Sequence, residues 1–118
     1  MNLKNRIIQL LFAVLLFAGN SCSKVDKKIS VKEFNKTIID SLIPKKNGSY
    51  TSYIIRIKGH TNDSIYLKPC ESCYRFFVTG NAIDEKLIFD YYGEFKQTFE
   101  FNPYKATAGE LDIEFSIE

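Results

Sequence analysis

The chain has 118 residues, with 16 Lys or Arg set against 14 Asp or Glu, which is enough for one small domain of nearly balanced charge. That balance lacks the basic footprint of a nucleic-acid binder, so the class is set aside. Three cysteines and a single histidine leave little from which to build a metal centre.

The first predicted element is an export signal. Lys4 and Arg6 make a basic start, residues 7–18 are apolar except for Gln9, and Gly19, Asn20 and Ser21 lead into Cys22. Basic, apolar and small residues in that order are the anatomy of a secretory signal peptide. As a helix, the apolar run would reach about 18 Å at roughly 1.5 Å per residue. A bilayer core is about 30 Å thick, so the run suits a cleaved signal better than a span.

The Ser21-Cys22-Ser23-Lys24 run resembles the signal ends of bacterial lipoproteins, and in particular those of the Bacteroidota, whose cleavage boxes are loose. Gly19 stands where the wider family usually has leucine. The resemblance covers residues 1–28. It implies cleavage after Ser21, acylation of Cys22 and a lipid-anchored protein of the cell envelope. Ser23 points to the outer membrane by the enterobacterial sorting pattern, and either the periplasmic or the surface face fits. The expected organisation is a signal peptide at 1–21, a lipidated tether at 22–29 and a single small β-rich domain at 30–118.

Without Lys4 and Arg6 the remaining charges cancel, yet they are segregated. Residues 23–58 hold nine basic side chains against three acids, and residues 59–118 hold five against eleven. Residues 25–29 read as the end of the tether. Ser30 and Glu33 then have capping-box spacing, and Val31, Phe34, Ile38 and Leu42 follow at helical intervals, predicting a helix that Pro44 stops. Lys45 to Ser49 reads as a turn.

From Tyr50 the period becomes two. Tyr53, Ile55 and Ile57 define a first strand, with a turn at 59–62. Residues 63–68 form a second strand and the Pro69–Cys73 corner follows. Tyr74, Phe76 and Val78 share one face of a third, which Gly80-Asn81 breaks. Residues 86–92 and 95–101 make a fourth and fifth. In the last strand Leu111, Ile113, Phe115 and Ile117 alternate with Asp112, Glu114, Ser116 and Glu118, which calls for one face in a core and an acidic face in water. The fold class expected is mainly β: a small antiparallel sandwich or barrel of about six strands, preceded by one N-terminal α-helix.

With Cys22 lipidated, Cys70 and Cys73 remain, and an even pair in an exported chain implies a disulfide. Their CxxC spacing also occurs in thiol–disulfide enzymes, but those place the first thiol at a helix N-terminus. Here strand patterns flank the motif. A zinc site built on these thiols and His60 would still lack a fourth ligand, so no metal and no cofactor is expected. His60, Asp63 and Ser64 read as a polar loop rather than a hydrolytic triad. Asp63-Ser64-Ile65 resembles the O-glycosylation acceptor of exported Bacteroidota proteins, as does Asp40-Ser41-Leu42, with Ser64 the better placed of the two serines.

No catalytic set emerges, so the function expected is a non-enzymatic, lipid-anchored module that binds a protein or envelope component. Its interaction face would use Asp112, Glu114 and Glu118 with the aromatics Tyr66, Phe77 and Tyr92, which fall opposite the presumed core residues. An alternative is an immunity or inhibitor lipoprotein that meets a basic toxin with the acidic face. A third is a thiol–disulfide protein using Cys70 and Cys73.

Overall fold

The computed structural model describes residues 24–118. The signal segment and Cys22 lie outside the described residues. Six strands run in chain order: β1 (Val25–Val31), β2 (Ile38–Leu42), β3 (Ser52–Lys68), β4 (Phe76–Asp90), β5 (Gln97–Asn102) and β6 (Gly109–Ile117). All pairings are antiparallel. The sheet order is β1-β6-β3-β5-β2, with β4 on the free edge of β3, and the sheet is nearly closed into a barrel.

The long strand β3 organises the rest. Tyr53 to Thr61 pair with β6, Tyr66 to Lys68 pair with β5, and β4 follows the opposite edge. Its inward residues Ile55, Ile57, Ile65 and Leu67 are fully buried. They meet Phe99 and Phe101 of β5 and Ile113, Phe115 and Ile117 of β6 in one apolar cluster. Across the interior the Phe99 and Phe115 rings stack with centroids 3.6 Å apart. At the open seam the Lys27 ammonium of β1 donates to the Asp40 carboxylate of β2 at 2.8 Å. That hydrogen bond, followed by one from the Ser41 amide, holds the Asp40 carboxyl below its ordinary range.

The close approach of β3 and β6 depends on two glycines set diagonally across the ladder, Gly59 opposite Leu111 and Gly109 opposite Thr61. Gly59 has φ +138° and Gly109 has φ +146°. A Cβ on Gly59 would strike the Glu110 carbonyl, and one on Gly109 would strike the His60 carbonyl. Only glycine lets these backbones close to that separation in that conformation.

Several expectations are corrected. No helix forms among the described residues: 30–43 contribute the end of β1, a short bend and β2. Ser30 lies opposite Asp112 in the β1–β6 ladder, so the capping box is unused. The segment expected as tether, 25–29, is most of β1. The reason is that β6 needs a partner on its outer edge, and Val25, Ile29 and Val31 supply one. The turn expected at 59–62 and the strand break expected at 80–81 are also absent. The chain runs through both, and the ladder absorbs them as register shifts between Gly59, Thr61 and Ile65. Bulges use the same Gly and Asn as turns, which is why the sequence pattern does not separate them. The four strands expected between 50 and 92 are therefore two long ones, and β1 and β2 restore the total of six.

Candidate interaction site

The Cys70–Cys73 pair forms a disulfide, with Cα atoms 5.0 Å apart, at the turn joining β3 to β4. The Pro69 carbonyl behind it accepts two buried hydrogen bonds, from the Tyr53 hydroxyl and the Gln97 side-chain amide, each 2.9 Å. Burial pushes the Tyr53 phenol above its ordinary range. The corner is thus clamped from beneath as well as stapled across. Among the described residues no group of three metal-ligating side chains converges.

His60 lies exposed on β3 opposite Glu110. Asp63 accepts a hydrogen bond from the Ser64 amide at 2.7 Å, and the Ser64 carbonyl accepts the Lys105 and Ala106 amides. Ser64 is half-buried at this junction. Ser41, from the other acceptor-like triplet, shares a hydroxyl–hydroxyl bond of 2.9 Å with Thr98.

The β6 acids line the outer face as expected, but neighbouring strands already answer them. Arg56 reaches Glu114 at 3.0 Å and Glu118 at 3.7 Å, Lys28 reaches Glu114 at 3.9 Å, and Lys24 reaches Glu118 at 3.5 Å. Only 18% of the Glu114 side chain is exposed. Asp112 remains exposed beside Lys58, its register partner on β3. The face is a shallow depression in which an acidic row lies between two basic ones. Its net field is small, unlike that of an unpaired acidic strand.

The aromatics divide differently. Tyr66 and Phe77 are register partners on β3 and β4, with ring centroids 5.9 Å apart. Tyr104, from the β5–β6 connection, completes a triangle at 5.8 Å from Tyr66 and 5.4 Å from Phe77. Its backbone sits at φ +49°, the left-handed region, and its amide donates to the Asn102 side-chain oxygen at 2.8 Å. The other end of Asn102 donates to the Tyr66 hydroxyl at 2.8 Å. The Arg75 guanidinium lies 4.8 Å over the Tyr66 ring, and the Lys105 ammonium 5.5 Å from the Tyr104 ring. Tyr66 is buried beneath this group, whereas Phe77 is 55% exposed and Tyr104 49%. Tyr92 stands apart in the connection after β4, 72% exposed and without a ring contact to the triangle.

Face parity therefore placed Phe77 at the surface, but Tyr66, expected exposed with it, is buried because Phe77, Tyr104 and Arg75 cover its ring, and Tyr104, Arg75 and Lys105 were missed. Tyr104 comes from a loop, where no periodicity applies; the Asn102-Pro103-Tyr104 run was the available signal, since Asn and Pro mark a turn that projects its next residue. No family model matches the chain, and no characterised protein matches its sequence.

Proposed function

We propose that this chain is a lipid-anchored envelope protein, held through Cys22, that binds a protein or other envelope component without catalysis. The surface of Phe77 and Tyr104 over Tyr66 is the binding site. One observation carries the reading: two large rings are held in fixed contact on the outer face yet remain half in water. Rigid aromatics beside an arginine are the residue types enriched where interfaces gain most of their energy. Arg75 and Asn102 hold the Tyr66 ring beneath them, and Asn102 also anchors the Tyr104 backbone, before any ligand arrives.

The β6 acids favour a basic partner less, because Arg56, Lys24 and Lys28 compete for the same carboxylates. The thiol reading is also less favoured, since the disulfide sits between strands with no helix terminus to activate a thiol.

The test is capture from the native envelope by the lipidated protein, beside a Phe77→Ala/Tyr104→Ala variant and an unrelated lipoprotein. A partner enriched by the wild type, with affinity about tenfold or more weaker for the variant, is expected. Equal capture by both would remove this surface as the site. The same preparation tests the anchor: Cys22→Ser should move the protein from the membrane to the soluble fraction.

A further inference from the structure

Strand β4 leaves one long edge without a neighbour. Among the described residues it pairs with β3 alone and contacts no other strand. An edge of that length is a template for another strand, and proteins commonly block it with charges. The charges on this one do not block it uniformly. Lys86 and Asp90 point to the outer face with Ile88 between them, and Ile88 is 61% exposed. Neither charge has an ion-pair partner among the described residues. Lys86 in fact lies opposite Arg56 on β3, so its inner neighbour is a like charge.

We propose that β4 pairs with β4 of a second copy of this chain, antiparallel, about a two-fold axis through Ile88. A closed two-fold contact requires a surface that complements itself. In this register Lys86 faces Asp90 of the second copy and Asp90 faces its Lys86, so each charge gains one partner and the contact holds two ion pairs. Leu87 faces Phe89 on the inner side, and Ile88 meets Ile88. Because Ile54 is the β3 partner of Ile88, the contact builds an apolar stripe of four isoleucines across the joined outer faces.

Neighbouring registers are worse. Centred on Phe89, Asp90 meets Ile88 and Lys86 meets Tyr92, so neither charge is answered. Centred on Leu87, Asp84 meets Asp90. Centred on Lys86, the lysine meets its own copy. Centred on Glu85, that acid does so. Like charges directly opposite one another destabilise a strand pair. The edge thus carries both the attraction and the device that selects one register. The surface is separate from the Tyr66–Phe77–Tyr104 triangle, and the proposal does not depend on it. Confinement to a membrane through Cys22 would raise the effective concentration of the two edges.

Two measurements on the full-length protein test it. In sedimentation across a concentration series, the wild type should dimerise. Lys86→Glu and Asp90→Lys should each weaken the dimer about tenfold, since each turns two attractions into two repulsions. The double exchange should restore it. In oxidative cross-linking on membranes, Ile88→Cys should form a dimer. Asp84→Cys should not, because its two copies would stand roughly 27 Å apart in this register. The wild type reports any contribution from Cys22. A wild type that stays monomeric, an exchange that fails to restore association, or equal cross-linking at positions 84 and 88 would each overturn the proposal.

Discussion

Gly109→Ala and Gly80→Ala should separate two costs that usually travel together. Both glycines have φ +146°, so an alanine at either bears the same conformational strain, about 1–3 kcal/mol. Both also gain the same loss of unfolded-state freedom, about 0.4–1 kcal/mol in the stabilising direction. Their surroundings differ. At Gly80 the nearest atom to the new Cβ is the Ile83 Cγ1 at 3.7 Å, an ordinary contact. At Gly109 it strikes the His60 carbonyl and lies 2.9 Å from the Thr61 Cα, and these are backbone atoms that cannot rotate away. The β3–β6 ladder must open at that end, and each lost backbone pair costs about 1 kcal/mol. We expect Gly80→Ala to cost about 1–2 kcal/mol and Gly109→Ala to cost about 2–3 kcal/mol more. Urea unfolding followed by tyrosine emission suits a chain with seven Tyr and no Trp, with circular dichroism as the second probe. Stabilities within about 0.5 kcal/mol of each other would refute the close approach as the reason for glycine at this corner.

Thr61 offers a change in the other direction. Its hydroxyl oxygen is buried at the register shift without a hydrogen-bond partner, so Thr61→Val should stabilise by about 1 kcal/mol; an unchanged urea midpoint would mean that a partner exists. Tyr53→Phe should alter the alkaline limb of the stability profile. The folded phenol titrates above its ordinary value of 10.0, so it contributes stability that is present below that pH and lost as pH rises toward the folded value. The phenylalanine variant should lose that limb while costing about 1 kcal/mol at neutral pH for the bond to Pro69. Cys70→Ser/Cys73→Ser closes no loop but keeps the Pro69 clamp. A bridge between residues three apart constrains little of the unfolded chain, so the loss should be about 2 kcal/mol or less with the fold retained, as read by circular dichroism.

The sequence by itself determined the strands whose partners are irrelevant to their pattern. β6 alternates Leu111, Ile113, Phe115 and Ile117 with polar residues, and all four are buried. A period of two is a local property, so it survives any arrangement of neighbours. The disulfide followed from the even pair of cysteines left once Cys22 is set aside, and the sequence placed Tyr66 and Phe77 opposite core residues, but their pairing came only with the β3–β4 register.

The tertiary structure decided everything that depends on an edge or a corner. Residues 30–42 suit helix and strand alike, and the choice was made by the unpaired edges of β6 and β5, which took β1 and β2 as partners. Glycine and asparagine signalled a turn at 59–62 and a strand break at 80–81, but hydrogen bonds continuing on both sides made them bulges within β3 and β4. The β6 acids read as a free negative face until Arg56 and Lys28, distant in sequence, were set beside them. Tyr104 joined the aromatic triangle only because the β5–β6 connection folds back over Tyr66. Local periodicity records which side of a strand is apolar; it carries no record of which strand lies next to it, and that neighbour sets the charge, the bend and the exposed edge.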